Sequence, residues 1–329
     1  MIKIVKLKNL NEHKENLNYK KGNVLTIGFF DGVHIGHQKI LGIGKKISLE
    51  KDIPFVILTF HPHPNKVFFP AKEFSLLTSL EDRLKLINCF DVDLVIVIPF
   101  TKDFSMITKE KFLDEIIKRK INPKLLVIGE DFRFGYKAKG NVDFLKRYFE
   151  EQNVKVNVIP LLKVNDKTVS STLIRELIMK GEIFKANNLL QRTYEIYGSV
   201  IKGKGMGKVI GFPTINIKML EELVLPGDGV YLGEIKSNSL RRYCLINIGK
   251  RPTFDGKKRT IEFYILDTKE EKVKELMKSE MLRLCFIDKL RNEIKFESVE
   301  KLVNQIKKDI KKAKGILKEF LNVRLKKLK

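Results

Sequence analysis

Three cysteines in 329 residues, Cys89, Cys244 and Cys285, form no CxxC pair. Such spacing suggests neither a zinc site nor a disulfide framework. Long apolar runs are missing too. The longest useful one, Leu94 to Phe100, falls far short of the ~20 residues that cross a bilayer. Lysines interrupt the opening stretch MIKIVKLKNLNEHKENL, which leaves no signal-peptide apolar region. A soluble, reduced, cytoplasmic protein with no membrane partner is expected. Acidic residues are outnumbered: 64 Lys and Arg stand against 40 Asp and Glu, a formal net charge of +24. Basic surfaces attract phosphate backbones. These lysines are spread over both halves, however, without a zinc finger or an RNP-type aromatic motif. Nucleic acid is therefore not the expected main partner.

What is present is enough for two cores. The chain is 43% hydrophobic and too long for one ordinary core. In the first half, apolar runs at 23–30, 54–60, 93–100, 124–132 and 154–160 alternate with helical patterns. The pattern Thr78-Ser79-Leu80-Glu81 has capping-box spacing, with Thr78 at the cap. Leu80, Leu84, Ile87 and Phe90 then recur at helical spacing. Further helices are expected at about Lys109 to Lys120 and Val142 to Gln152. Continuously apolar strands separated by helices imply a buried parallel sheet. Ligands of such sheets bind beyond the carboxyl ends of the strands.

The strand ends carry unusual residues. After the first run comes Asp31-Gly32-Val33-His34-Ile35-Gly36-His37, and after the second His61-Pro62-His63-Pro64-Asn65. Those two loops hold four of the five histidines in the chain. His34 and His37, at helical spacing, share a face at a helix start, where free N–H groups and the dipole favour phosphate. Two imidazoles there can donate hydrogen bonds to phosphate oxygens, and Gly36 leaves room for a purine. That suits attack on the α-phosphate of a nucleotide, by positioning and charge stabilisation. Asp31 would either steer the approach or hold magnesium. Farther on, Ser170, Ser171 and Thr172 offer hydroxyls and N–H groups to phosphate, and Arg175 a charged fork. Ordinary helix capping is the commoner fate of such a run, and the two roles can coexist.

GFFDGVHIGH (28–37) resembles the signature of bacterial FAD synthetases, within the HxGH nucleotidyltransferase superfamily. TFHPHP (59–64), GEDFRFG (129–135), SSTLIR (170–175) and the segment 99–112 resemble further motifs of that family, in the same order. The resemblance implies that His34 and His37 bind ATP phosphates and that Ser171, Thr172 and Arg175 close on them. Gly28, Phe30, Asp31, Gly36 and Ser170 fall on the nucleotide side by the same token. His63, Asn65, Asp131 and Phe132 become candidates for holding FMN. Phe29 departs from the family, which usually has a small polar residue there.

From Tyr194 short strands with turn signals suggest an antiparallel barrel, closed by a helix from about Ser298. The alternating glycines Gly203, Gly205 and Gly207 would let a backbone wrap round phosphates, although the spacing is not that of a Walker A loop. A flexible hairpin explains a Gly-Lys loop equally well. GSVIKGKGMGKVIGFPTINI (198–217), NIGKRPTF (247–254) and LRNEIKF (290–296) resemble riboflavin kinase. That resemblance implies Thr214 and Asn216 as ligands of Mg2+ and ATP phosphate, Glu262 as catalytic base, and Arg291 beside the flavin. Where that family usually has Asp-Leu-Tyr-Gly, the chain has Glu275-Leu276-Met277-Lys278.

The expectation is thus an α/β chain: an HxGH nucleotidyltransferase (Rossmann-like) domain at 1–185, a linker at 186–193 and a β-barrel kinase domain at 194–329. It would phosphorylate riboflavin to FMN and adenylylate FMN to FAD, with ATP as co-substrate, as a monomer or weak homo-oligomer. The alternatives are an FAD synthetase with an impaired kinase domain, motivated by residues 275–278, and a basic flavin- or RNA-binding regulator.

Overall fold

The computed structural model describes residues 3–6, 21–69, 74–201, 206–237, 240–253, 256–267, 273, 276, 279 and 281–326. The chain divides into two compact units, 1–173 and 174–329, and the division falls inside the helix Ser171–Lys180.

The first unit is built on strands β1 (Lys3–Lys6), β2 (Val24–Ile27), β3 (Phe55–His61), β4 (Leu94–Pro99), β5 (Leu125–Gly129) and β6 (Lys155–Ile159). All pairs are parallel, in the order β1-β4-β3-β2-β5-β6. β2, β4 and β5 are almost wholly buried, as their near-continuous apolar runs require. One face packs Leu25, Val56, Leu58 and Ile96 against Phe112, Ile116, Leu145 and Phe149. The other packs Val24, Ile57 and Val95 against Leu41, Leu84 and Ile87 of the helices α1 (Ile35–Lys51) and α3 (Leu80–Asn88); the short α2 (Pro64–Phe68) lies between them in sequence. The strand order reverses at β2, with β3 on one side and β5 on the other, which places a crevice beyond the ends of β2 and β5.

Three details differ from the sequence reading. β1 lies in the stretch read only as lysine-interrupted; an edge strand needs one buried residue (here Val5) and tolerates Lys on its open side. The cap of α3 is Ser79, whose hydroxyl accepts from the Asp82 N–H at 3.0 Å. Thr78 is diverted because its hydroxyl serves Asp31 and Gly32. The helix expected at 109–120 continues from Lys111 as a π-helix, Phe112–Ile121. Its wider turn keeps Phe112, Ile116, Ile117 and Ile121 all in the core.

A two-stranded hairpin, β7 (Lys163–Val164) and β8 (Lys167–Thr168), completes the sheets of the first unit. The second unit is a closed antiparallel barrel. Its strands are β9 (Tyr194–Ile201), β10 (Ile215–Met219), β11 (Gly229–Lys236), β12 (Arg241–Thr253), β13 (Gly256–Ile265) and β14 (Leu282–Arg291), in the order β10-β13-β12-β11-β14-β9. Residues Ile183–Leu190 are helical, and the Asn187 amide on that helix donates to the carbonyls of Phe286 and Ile287. The terminal helix, Val299–Lys326, starts at Ser298, whose hydroxyl accepts from the Lys301 N–H. Its Ile310, Ala313, Leu317 and Phe320 pack on Val230, Leu245 and Leu290 of the barrel. Among the described residues no helix is long and apolar enough to cross a membrane. Gly203, Gly205, Glu275, Met277 and Lys278 lie outside the described residues, whereas Leu276 is buried.

Candidate active sites

At the end of β2 the chain turns sharply. Phe30 and Val33 both have positive φ (58° and 39°) and are buried. Left-handed backbone is costly for bulky side chains and persists where the surroundings enforce it. The enforcement is visible. Both Asp31 carboxylate oxygens accept from the Leu77 N–H at 3.0 and 3.1 Å, and one also takes the Thr78 N–H and hydroxyl. Asp31 is 2% exposed. Its carboxylate anchors the 77–78 loop, and its carbonyl accepts from the Ser171 hydroxyl at 2.9 Å.

This turn delivers His34 to the cap position of α1, where its Nδ1 accepts from the His37 N–H at 3.4 Å. Gly36 fits because a Cβ there would come within 3.2 Å of the His34 ring. Nδ1 of His37 is buried and has no hydrogen-bond partner. Burial first, then the neighbouring His34 and Arg83, push its pKa well below the usual imidazole value, so at pH 7 it is neutral. A cavity of about 150 Å³ brings together His34, Gly36, His37, Asp131, Ser170 and Ser171. Ser170 caps its helix by accepting from the Leu173 N–H. Thr172 is exposed on that helix, and Arg175 lies farther along it, beyond the division between the units.

A second cavity in the first unit, about 390 Å³, is walled by phenylalanines, among them Phe29, Phe60, Phe100, Phe104 and Phe132. Gly28 lines this aromatic cavity, and Asp131 lines the cavity of the histidines. The Phe30 ring is buried in the core and lies nearly perpendicular to the His37 ring. His63 caps α2, accepting from the Asn65 N–H, and meets the Phe29 ring at 4.3 Å between centroids. Pro64, between them, reaches the cavity wall.

In the barrel, Asn216 on β10, Glu262 on β13 and Asn247 on β12 lie side by side across three adjacent strands. The Thr214 hydroxyl is 3.3 Å from a Glu262 carboxylate oxygen. Gly207 permits a close turn here: its carbonyl accepts from the Phe212 N–H, and a Cβ would sit 2.3 Å from the Phe212 oxygen. Gly207, Thr214, Asn247, Glu262 and Arg291 all line a cavity of about 350 Å³, with the terminal helix as one wall. Nε of Arg291 donates to both oxygens of Asp309 on that helix, at 3.1 and 2.9 Å.

Three features were missed in the sequence: the Phe29–Phe60–Phe100–Phe104 wall, Asp309, and Arg83. Arg83 is only 1% exposed and touches Phe29 and Phe60. Its signal was available, since it falls three residues after Leu80 and four before Ile87, on the buried stripe of α3.

A parallel sheet with paired imidazoles at its reversal point, joined to a barrel with a carboxylate among hydroxyl and amide groups, defines a two-part transferase that handles phosphate. A family model described as FAD synthetase matches residues 16–173, and one described as riboflavin kinase matches 190–317. Bifunctional riboflavin kinase/FMN adenylyltransferases are similar over nearly the whole chain. The one from Buchnera aphidicola of Schizaphis graminum is 35% identical, covering 93% of this chain and 97% of its own. That from Bacillus subtilis is 33% identical, covering 92% and 94%. A crystal structure described as a macrolide-efflux protein from Streptococcus pneumoniae superposes with a TM-score of 0.84 at 28% identity, covering 95% of this chain and 99% of that one. The chain belongs to the bifunctional riboflavin kinase/FMN adenylyltransferase family.

Proposed function

We propose that the chain makes FAD from riboflavin in two ATP-consuming steps, one in each unit. The family supplies the two activities, riboflavin kinase and FMN adenylyltransferase; the residue roles are our reading. The observation that carries that reading is the single cavity lined by His34, His37, Ser170 and Ser171 at the reversal of the sheet.

In the first unit the FMN ring lies among the phenylalanines, which offer flat apolar faces. A phosphate oxygen of FMN attacks the α-phosphorus of ATP, and pyrophosphate leaves. His34, His37 and the free N–H groups at the start of α1 offset the charge that builds on the α-phosphate. Ser171, Thr172 and Arg175 hold the departing phosphates, and His63, Asn65 and Asp131 orient FMN.

In the barrel the ribityl 5′-hydroxyl attacks the γ-phosphorus of ATP. Glu262 accepts its proton, and ADP leaves. The flavin sits in the cavity beside Arg291. The glycines 203, 205 and 207 cradle the phosphates. Thr214 and Asn216 offer oxygen donors, the kind a hard cation takes, so they would hold Mg2+ arriving with ATP. There the ion would screen phosphate charge. The enzyme acts in the cytoplasm, where ATP is supplied, as a monomer or weak homo-oligomer, with small molecules as its partners.

The test is to incubate the purified protein with riboflavin, ATP and magnesium, beside a reaction begun with FMN, and to separate the flavins. FAD from both is expected. FAD from FMN alone would show that the kinase step is missing and would favour the reading of an FAD synthetase with an impaired kinase domain.

A further inference from the structure

The guanidinium of Arg83 is buried between two strand ends. Nη1 donates to the carbonyl of Phe29 at 3.0 Å, just past β2, and Nη2 donates to the carbonyl of Phe60, in β3, at 2.8 Å. Its Cζ lies 4.0 Å above the Phe29 ring, and its Nε has no partner. Phe29 and Phe60 are both on the wall of the aromatic cavity. The charge also reaches the other cavity, because it helps hold His37 neutral.

A buried cation is costly unless something is gained from it. Burial pushes the pKa of Arg83 down to about 10, with the Asp31 carboxylate opposing, so the group is still charged at neutral pH. A leucine on the stripe of Leu80, Leu84 and Ile87 would have built the same core without that cost. The retained charge lies behind the segment that runs from the aromatic cavity at Gly28 and Phe29 to the cavity of His34 and His37.

We infer that Arg83 is a positioning residue for FMN adenylylation: its two hydrogen bonds fix the ends of β2 and β3 together, and its charge adds positive potential where the phosphates of FMN and ATP meet. This rests on the reading that His34 and His37 bind ATP phosphates. The charged and titratable groups around His37 are His34 at the start of α1, Arg83 of α3 and Asp131 after β5. A neutral residue of similar length at position 83 removes both effects. A lysine keeps the charge but cannot bridge two carbonyls with a rigid fork.

The experiment uses the full-length enzyme with Arg83→Met, Arg83→Lys and His37→Ala. FMN adenylylation and riboflavin phosphorylation are measured for each, and the imidazole titration of His37 by NMR for the wild type and the two Arg83 variants. In Arg83→Met, kcat for adenylylation should fall ten-fold or more, by order of magnitude for lost transition-state charge stabilisation. KM for ATP should rise, and His37 should titrate at higher pH. Kinase activity should stay at the wild-type level, which also reports that the second unit is folded. In Arg83→Lys, the His37 titration should stay near wild type while kcat still falls several-fold. If Arg83→Met does not fold, Arg83→Lys decides: wild-type kcat there would overturn the fork's role. Wild-type kcat and an unmoved His37 titration in a folded Arg83→Met would overturn the inference as a whole. Full adenylylation in His37→Ala would instead overturn the reading of the histidine cavity itself.

Discussion

The imidazoles of His34 and His37 lie face to face, with ring centroids 3.7 Å apart and 20° between their planes. Burial, the stacked His34 ring and Arg83 together hold the His37 imidazole neutral.

That arrangement sets an acid limit on stability. The folded-state pKa of His37 is depressed, so the unfolded chain takes up its proton first as pH falls below about 6.5. From there down to the folded-state value, the unfolded state carries more protons and stability declines with falling pH. Urea denaturation at pH 7.5 and 5.5 should show a loss in the wild type that is smaller in His37→Ala.

The two activities should separate by mutation. Glu262→Gln keeps the shape of the row Asn216–Glu262–Asn247 and removes the proposed proton acceptor. Riboflavin phosphorylation should fall roughly 10²–10⁴-fold, the usual worth of a general base, while FAD formation from FMN continues at the wild-type rate. A kinase running at full speed would refute the assignment.

Asp31 should matter to folding as well as to activity. Asp31→Ala leaves the N–H groups of Leu77 and Thr78 without their acceptor. Hydrogen bonds to a buried charge are worth about 1.5–3 kcal/mol each in net terms, and they share this carboxylate. A loss of roughly 2–3 kcal/mol is expected in the stability of the first unit, measured by thermal denaturation. A variant as stable as the wild type would show that the 77–78 loop holds itself.

Thiol chemistry should be simple. Cys89 is exposed, whereas Cys244 and Cys285 are buried. Burial and the Glu195 carboxylate push the Cys285 thiol up to about 12, and Cys244 is raised as well, chiefly by burial. Since the thiolate is the reactive form, a thiol reagent at pH 8 should label one cysteine in the native protein and three after denaturation.

How much of this was readable in advance depended on the kind of signal. The strands β2 to β5 announced themselves because a doubly covered sheet needs near-continuous apolar runs; the edge strand β6 offered only alternating Val156, Val158 and the terminal Ile159. The strand-end motifs followed from the rule that such sheets bind ligands at their carboxyl ends. His34, His37, Ser170 and Ser171 lie together in one cavity as that rule implies. Arg83 escaped because a helix residue's reach is not written in its period; only its place on the apolar stripe hinted that the cation was buried. The aromatic wall escaped for a different reason. Phe29, Phe60, Phe100 and Phe132 come from four separate strand ends, and nothing local says that they converge. Asp309 looked like one more polar residue on a charged helix until Arg291 was found against it.

One covalent stretch, Gly28 to His37, borders the aromatic cavity at its beginning and the histidine cavity at its end. It works as a yardstick. On the proposed placement of FMN, riboflavin would fill the same aromatic slot equally well, and what would tell the two apart is whether the molecule is long enough, and charged at its far end, to reach the second mark. On that placement, a change that tilts Phe29 should disturb the seating of the ring and, through the shared stretch, the use of ATP.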